Sequence, residues 1–561
     1  MHGLYFFVCC CKLARMDNQP VATEPIRKPA AQIWPWVVVF LVLIFVGFIR
    51  FRLLDIPLER DEGEYAYAGQ LILQGIPPYE LAYNMKLPGT YYAYAAGMAV
   101  FGQTIRGIHL TLIVANSLTI VFMFLLGRKL CGTIGGLAAC ASYGVMSMSP
   151  LIYGLAAHAN HFVVLFAVPA TIVLLAAQEK KSNHFLFVSG LLYGLAFVMK
   201  QQGLFFVFFG GLFLIWDGVK NRNILTKTFL MRGLAFAGGV FLPFAMVCLT
   251  CLVAGDFFRF WFWTFTYARW YATSLPLLEG VELLVGHVQQ TFYFSCGFWA
   301  LAAIGLILAA FNKRLRRPAI FLVVFWLFSF GATSTGYYFR NHYFILLLPA
   351  FAIMVGMGVA ALQEAWRSPK FQDVFRSLPV ILFGLILAWA VTYQSQYFFE
   401  LSAAQAGQSI YDPNPFTTAQ VAGDWLRDNT APDAKVAVMG SEPEIYFYAR
   451  RHSATGYIYT YALMEPQPNA LKMQHEMIGE IEANRPEYLV FVASGLSWLV
   501  NLHSSHMIMN WAGEYAAHNY DRIGVVRKVN GKIVSVWGDD AKSADGKGDC
   551  LLIYRRKPGA N

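Results

Sequence analysis

The residues best suited to chemistry in this chain form an acidic segment that directly follows the first long apolar run. The segment reads Arg60-Asp61-Glu62-Gly63-Glu64-Tyr65, and a lone lysine, Lys86, follows about one loop later, just before Pro88. Ionisable side chains beside a lipid bilayer are costly unless they act on something polar. This cost leads us to predict an active site at the segment.

The pattern of acids and lysine suits the transfer of a sugar from a lipid phosphate. The leaving group departs as phosphate and needs little protonation, so one base on the acceptor and one cation on the phosphate are enough. Asp61, with Glu62 beside it, would supply the base, and Lys86 would hold the phosphate. A glycosidase would instead need two carboxylates on opposite sides of the sugar ring. The alternative is a solvated helix start, because acidic side chains favour a first helical turn.

The elements that must position these residues are membrane helices. Of the 561 residues, 57% are hydrophobic and only 14% are charged, which excludes an ordinary soluble protein. At about 20 apolar residues per crossing, we predict a polytopic α-helical membrane protein with about eleven spanning helices. They lie near residues 33–49, 107–126, 133–148, 162–177, 185–199, 203–216, 233–253, 292–311, 319–333, 343–362 and 378–397.

Lysine and arginine collect in alternate loops between these helices. Positive charge is retained on the cytoplasmic side, so we predict a multi-pass protein of a bacterial-type inner (plasma) membrane with a cytoplasmic N-terminus. The loop 55–106 and the C-terminal region then lie outside. The net charge of +10 follows from this topology, and no nucleic-acid partner is expected. Because nucleotide sugars are cytoplasmic, an outward-facing enzyme needs a donor that has already crossed the bilayer, such as a lipid-linked sugar.

The chain divides into three predicted parts. Residues 1–32 form a cytoplasmic tail, 33–400 a transmembrane catalytic domain that includes the loop 55–106, and 401–561 a periplasmic-type outer domain. In the tail, the apolar stretch before Met16 lacks the flanks of a signal peptide, and we expect translation to start at Met16. Lipidation of the three early cysteines is the alternative; they are Cys9, Cys10 and Cys11.

The predicted outer domain is polar and has its own pattern of elements. Segments 435–439 and 488–492 are typical of buried strands, and 416–428, 442–449 and 469–484 of helices. This alternation favours a small α/β layer. The segment 440–442 after the first strand is not a phosphate loop, and no GxGxxG occurs. We therefore expect the domain to shape acceptor access, with no nucleotide or flavin cofactor.

Three motifs of the first outer loop carry a family resemblance. Asp61-Glu62, the run Gly75-Ile76-Pro77-Pro78-Tyr79, and Lys86-Leu87-Pro88 resemble the GT-C glycosyltransferases, in the branch of protein O-mannosyltransferases and the lipid A aminoarabinose transferase. The resemblance implies that Asp61 acts as the base or positions the acceptor and that Lys86 engages a polyprenyl phosphate. Met85 stands where the aminoarabinose transferases have an acid, so a metal site of their kind is in doubt. A divalent metal is left open as the cofactor.

Other outward-facing polar residues are further candidates for substrate binding. His158 and His161 are spaced to share one helix face or hold one ion, although interfacial histidines more often bond only to loops. Lys200 lies against the positive-inside trend and needs an anionic partner. The loop with Arg340, His342 and Tyr343 resembles one that related transferases place near the lipid phosphate; its alternative is an interfacial aromatic belt.

Two functions of different classes remain. The first is an inverting glycosyltransferase that moves a hexosyl or pentosyl unit from a polyprenyl phosphate to a hydroxyl or amine of a lipid, glycan or protein on the outer face. The second is a transporter or flippase of lipid-linked sugars, which should place ionisable residues near the bilayer midplane. The charges here cluster at the outer helix ends, which favours the transferase. The sequence does not identify the sugar, the acceptor or the oligomeric state.

Overall fold

The computed structural model describes residues 33–224, 226–366 and 373–559. The predicted N-terminal tail, with Met16 and the three early cysteines, lies outside the described residues. Helices dominate the first part of the chain. They are α1 (Trp34–Arg52), α2 (Arg60–Leu73), α3 (Gly89–Phe101), α4 (Ile105–Met146), α5 (Ala159–Lys180), α6 (Asn183–Met199), α7 (Leu204–Lys220), α8 (Lys227–Ala254), α9 (Phe257–Trp261), α10 (Ala268–Thr273), α11 (Leu277–Phe311), α12 (Arg316–Thr333), α13 (Leu348–Ala365) and α14 (Asp373–Tyr393).

Within the described residues, 8 helices are long and apolar enough to cross a membrane, and two shorter apolar helices accompany them. The polytopic helical fold is therefore confirmed, while the number of crossings and their direction stay predictions. Helix α4 joins two predicted segments, and Gly132, with φ 80° and ψ 178°, interrupts it between them. Helix α13 begins at Leu348, later than predicted, because a 3-10 segment precedes it and Pro349 favours the first helical turn.

Close backbone approach fixes the centre of the bundle. Helix α13 is the most buried of the candidate spans, at 72% of its apolar window. A Cβ at Gly356 would lie 2.1 Å from the carbonyl oxygen of Gly135 on α4, and one at Gly358 would lie 2.1 Å from that of Leu301 on α11. Only glycine allows these contacts, the usual device for packing helices in lipid.

The loop 55–106, called the first outer loop after its predicted side of the membrane, contains the two helices α2 and α3. Glu59 and Glu62 form a reciprocal capping box that starts α2 at Arg60. Helix α3 packs closely on the end of α6, since a Cβ at Gly89 would lie 2.4 Å from the carbonyl oxygen of Val198. Tyr91 and Tyr94 are buried rather than spread along an interface, and their hydroxyls bond to Glu64 and to the Ala157 carbonyl.

The outer part of the chain folds around one five-stranded sheet of order β1-β2-β5-β3-β4. β1 and β2 are parallel and the other neighbours are antiparallel. The two predicted strands and three predicted helices are confirmed; β3 to β5 were not predicted. The elements are α15 (Ala403–Tyr411), α16 (Phe416–Asn429), β1 (Val436–Met439), α17 (Glu444–Ala449), α18 (Tyr461–Met464), α19 (Ala470–Asn484), β2 (Tyr488–Ala493), α20 (Gly495–Trp498), α21 (Met507–Asn519), β3 (Tyr520–Val529), β4 (Lys532–Trp537), α22 (Asp539–Ser543) and β5 (Cys550–Arg556).

Candidate active site

A cavity of ≈ 580 Å³ lies between the first outer loop, the outer helix ends and the outer domain. Asp61 and Lys86 reach it from the first loop, Lys200 from the junction of α6 and α7, and Arg340 from the loop before α13. The outer domain contributes aromatic side chains, among them Tyr459. Such a concave space with a few polar groups and many aromatic walls is the usual form of a small-molecule site.

Asp61 presents its carboxylate to this cavity from the first turn of α2. Its Oδ1 accepts a hydrogen bond from Lys86 Nζ at 2.6 Å and lies 3.3 Å from the Tyr459 hydroxyl. The side chain is 20% exposed. Burial raises the pKa of Asp61, but the charge of Lys86 outweighs it and holds this pKa well below its usual value. Asp61 is therefore ionised, and it lines the cavity.

Lys86 bridges two carboxylates. Its Nζ donates to Asp61 Oδ1 at 2.6 Å and to Glu64 Oε2 at 2.7 Å, and the ring of Tyr65 lies 4.7 Å away. Burial lowers the pKa of Lys86, yet the two carboxylates raise it above its ordinary value. The ammonium keeps a third N–H for a ligand in the cavity. Glu64 was not predicted, although its spacing from Asp61 on one helix face could have identified it.

Glu62, which the sequence placed with Asp61 in catalysis, lies elsewhere. Its side chain is fully buried. One carboxylate oxygen accepts from the backbone N–H of Ala157 at 2.5 Å and lies 3.2 Å from His109 Nε2, and the other accepts from the N–H of Glu59 at 3.3 Å. The described cavity lining includes Glu59 but not Glu62. These contacts make Glu62 an anchor between α2 and the outer end of α5 rather than a reacting group.

His158 and His342 lie beside Asp61. His342 is among the described residues that line the cavity, whereas His158 and His161 are not. His158 Nδ1 and His342 Nε2 lie 3.9 and 3.7 Å from Asp61 Oδ2. Burial lowers the pKa of His158 to about 4 and that of His342 well below its usual value, so both rings are neutral. Although the sequence suggested that His158 could share an ion with His161, the structure pairs it with His342.

The trio of Asp61, His158 and His342 is a candidate set of metal ligands, with ligand atoms within 4.8 Å of one another. A carboxylate and two imidazoles are suitable ligand types for zinc or another transition metal. The two rings, however, stack with centroids 4.1 Å apart and planes at 14°. Ring lone pairs lie in the ring planes, so two stacked rings cannot aim at one ion about 2 Å from each nitrogen. The trio does not fit a metal ion unless at least one ring rotates.

Two cations of the cavity have no carboxylate partner among the ion pairs of the described chain. Lys200 Nζ donates to Asn160 Oδ1 at 2.9 Å and lies 4.5 Å from the ring of Tyr343. Burial lowers the pKa of Lys200 to about 7, a shift that Lys86 reinforces and Asp61 opposes. Arg340 lines the cavity with its guanidinium 5.3 Å from the ring of Tyr338. Both cations are placed to receive an anion.

Several known proteins are similar to this chain in sequence. Residues 86–247 match the family model described as dolichyl-phosphate-mannose-protein mannosyltransferase. Two undecaprenyl phosphate-alpha-4-amino-4-deoxy-L-arabinose arabinosyl transferases of Pseudomonas aeruginosa, from strains UCBPP-PA14 and LESB58, are 25% and 26% identical over 288 and 294 residues. These matches cover 48% of this chain and 49% of each relative, so the chain spans about half the length of these relatives.

Solved structures show the same fold over most of the chain. ArnT from Cupriavidus metallidurans, bound to undecaprenyl phosphate, matches with a TM-score of 0.58 at 14% identity, over 90% of this chain and 98% of that one. The oligosaccharyltransferase AglB from Archaeoglobus fulgidus matches with a TM-score of 0.53 at 12% identity, over 90% of this chain and 74% of that one. The predicted likeness to the GT-C glycosyltransferases is confirmed, and the fold is similar to that of ArnT.

Proposed function

We propose that this protein is an inverting glycosyltransferase that moves a sugar from a polyprenyl-phosphate donor to an acceptor hydroxyl or amine on the outer face of the membrane. One observation carries the proposal: an ionised carboxylate, Asp61, lines the same cavity as Lys200 and Arg340, two cations without a carboxylate partner among the described residues. The relatives named as transferases and the ArnT-like fold support it. The sugar and the class of acceptor, whether lipid, glycan or protein, are left open.

The cations account for the phosphate end of the donor. A sugar linked to a lipid through one phosphate is a phosphodiester with a single negative charge near neutral pH. Lys200 and Arg340 approach the cavity from different outer loops, and the free N–H of Lys86 points to a third contact. As the sugar leaves, the phosphate gains charge, and fixed cations stabilise that charge in the transition state. Tyr343, whose ring lies against Lys200, fixes the direction of that ammonium.

Asp61 accounts for the acceptor end. Its Oδ1 is held by Lys86, and its Oδ2 lies 3.9 and 3.7 Å from His158 and His342. A hydroxyl or amine that donates to Oδ2 is aligned for attack and loses its proton as the new bond forms. Attack from the side opposite the phosphate inverts the anomeric centre. His158 and His342 stack beside Oδ2 and limit where the acceptor can approach.

The transporter alternative is not favoured. The relatives reported above are named as transferases, and the unpaired cations lie at the outer helix ends rather than inside the spans. The fold also supports a membrane location, since 8 of its described helices could span a bilayer. We place the protein in a bacterial-type inner membrane with the cavity and the outer domain on the periplasmic side.

Mass spectrometry of the envelope tests the proposal most broadly. Glycolipids and glycoproteins are compared from cells that carry the intact protein, the Asp61→Asn variant, or neither. We expect one glycosyl unit to disappear from the same carrier in both deficient strains, together with accumulation of its polyprenyl-phosphate form. If the unit persists with Asp61→Asn, the transferase proposal fails. Accumulation of the lipid-linked sugar on the inner face alone would support a flippase instead.

A further inference from the structure

One segment of the outer domain lies directly against both halves of the acid–lysine pair. We call residues 453–461 the bracing segment. The N–H of Ser453 donates to the hydroxyl of Tyr67 on α2 at 2.8 Å, and the carbonyl of Gly456 accepts from the N–H of Tyr83 at 2.7 Å. A Cβ at Gly456 would lie 2.0 Å from the Tyr83 ring, so this close approach requires glycine. Tyr83 precedes Lys86 in the first loop.

At its far end the bracing segment reaches Asp61 itself. The Tyr459 hydroxyl lies 3.0 Å from the carbonyl oxygen of Arg60 and 3.3 Å from Asp61 Oδ1. Its ring lies 5.7 Å from Lys86 Nζ. Burial, followed by the charges of Glu64 and Asp61, raises the pKa of Tyr459 well above its ordinary value, so the hydroxyl keeps its one proton and shares it between these two acceptor oxygens.

A second contact holds the residue next to Asp61. Arg60 Nε donates to the carbonyl of Ser441 at 2.5 Å, and Arg60 Nη2 donates to Glu442 Oε1 at 3.0 Å. The rings of Phe416 and Tyr461 lie 5.2 and 5.1 Å from its guanidinium carbon. The side chain is only 12% exposed. Every partner of Arg60 in these contacts belongs to the outer part of the chain, more than 350 residues away.

We propose that the outer domain is a working part of the catalytic centre: Tyr459 and Glu442 are positioning residues that fix the carboxylate of Asp61 for its reaction with the acceptor. This inference rests on the proposed function, in which Asp61 accepts the acceptor's proton. It goes beyond the expectation that the domain only shapes acceptor access. A carboxylate at the start of a helix can rotate about its side-chain bonds. The hydrogen bond from Tyr459 and the ion pair with Lys86 restrict this rotation, and the contacts of Arg60 with the outer domain fix the adjacent backbone.

This role is tested by steady-state kinetics with the full-length protein in detergent. The donor is a synthetic short-chain polyprenyl-phosphate sugar, and the acceptor is the one found by mass spectrometry. We expect Tyr459→Phe to lower kcat about 10-fold, the usual effect of losing one hydrogen bond to a charged group, with the donor Kd within 2-fold of the parent. Tyr457→Phe is the matched control, because Tyr457 is in the same segment and also donates to a carboxylate, Glu476, away from the cavity. It should leave kcat unchanged.

A double-mutant cycle distinguishes positioning of Asp61 from a merely structural role of Tyr459. If Tyr459 acts through Asp61, Tyr459→Phe should change the residual rate of Asp61→Asn less than 2-fold. Glu442→Gln keeps the shape of the side chain but removes its ion pair with Arg60. We expect it to lower kcat 3- to 10-fold in the parent and to have little effect in Asp61→Asn. Equal losses in both backgrounds, or an unchanged kcat in Tyr459→Phe, would overturn the inference. Normal turnover in Asp61→Asn alone would instead refute the proposed function.

Discussion

Two clusters with the same kinds of groups lie back to back on the first turn of α2. The open cluster consists of Asp61, Glu64 and Lys86, and the closed cluster consists of Arg60, Glu442 and Glu444. In the open cluster the side chain of Asp61 is 20% exposed to the cavity, whereas Glu442 and Glu444 have no exposure. Both combine two acids with one cation, so charge alone does not identify the site. The described cavity lining includes Asp61 but neither Glu442 nor Glu444, so the acid with access to the cavity identifies it.

The two clusters use different cations, arginine in the closed cluster and lysine in the open one. Arg60 carries a rigid fork of donors, and backbone carbonyls, a carboxylate and two rings occupy it. Lys86 carries a compact ammonium with three donors, and the two carboxylates occupy two of them. The arginine is thus used to dock one domain on another. The lysine retains capacity for a ligand, as a substrate-binding group must.

Removing the cation of the open cluster should have the largest effect after loss of Asp61. Lys86→Ala leaves the buried Glu64 without its ammonium, and breaking such a pair costs about 3 kcal/mol of the free energy of unfolding. We expect kcat/KM for transfer to fall at least about 100-fold as the phosphate contact is lost. Thermal melting in detergent and the transfer assay measure the two effects.

A second substitution separates those effects. In Lys86→Ala/Glu64→Gln, the buried charge is gone, so the melting temperature should recover most of its loss. Transfer should stay low, because the ammonium is still missing. Recovery of transfer together with stability would show that Lys86 serves only to neutralise the acids. The open cluster would then differ from the closed cluster in exposure but not in function.

Lys200 should give a smaller, pH-dependent effect on donor binding. Its pKa of about 7 means that it is charged at pH 6 and mostly neutral at pH 8. A phosphodiester donor does not titrate in this range, so its affinity for the parent protein should fall as pH rises through 7. We expect Lys200→Gln to bind the donor about 10-fold more weakly at pH 6 and to lose this pH dependence, as measured by titration calorimetry.

An arginine at the same position supplies the control. Lys200→Arg keeps a positive charge at both pH values, so its donor affinity should vary little between pH 6 and pH 8. If Lys200→Gln retains the parent's pH dependence, another group titrates, and Lys200 is not the phosphate contact.

Glu444, the member of the closed cluster with no assigned part in positioning Asp61, should respond in stability alone. Burial and the neighbouring Glu442 raise the pKa of Glu444 well above its usual value, and no side chain of the described residues bonds to its carboxyl oxygens. The folded state therefore binds a proton that the unfolded state releases above its ordinary pKa, so stability falls as pH rises from that ordinary value towards the raised one. Glu444→Gln should melt at a higher temperature than the parent at pH 8, with little difference near pH 4.

Local patterns predicted the parts of this picture that lie within one element. The helix from Asp61, the strands 435–439 and 488–492, and the grouping of acids at a helix start all follow from residue spacing. β3 was not predicted because charged residues such as Arg522, Arg527 and Lys528 interrupt its apolar alternation. Edge position explains β4, where none of the six side chains is buried.

The contacts that complete the candidate site join distant parts of the chain. His158 and His342 stack across 184 positions, and Tyr459 reaches Asp61 across 398. Nothing in the composition near Tyr459 marks it, since tyrosines are frequent throughout the chain. Glu62 was predicted as catalytic because it adjoins Asp61 in sequence, but successive residues of a helix point in different directions. Pairing across the fold decides which acid faces the cavity.

Single-turnover transfer by Asp61→Asn tests the central role of the open cluster most directly. The purified variant is mixed with a short-chain polyprenyl-phosphate sugar and the acceptor found by mass spectrometry, with Asp55→Asn, a change to an exposed ion pair with Arg106, as the control. We predict that Asp61→Asn transfers at least about 1,000-fold more slowly while binding the donor normally, and that Asp55→Asn matches the parent. Transfer by Asp61→Asn within a few-fold of the parent would contradict the account.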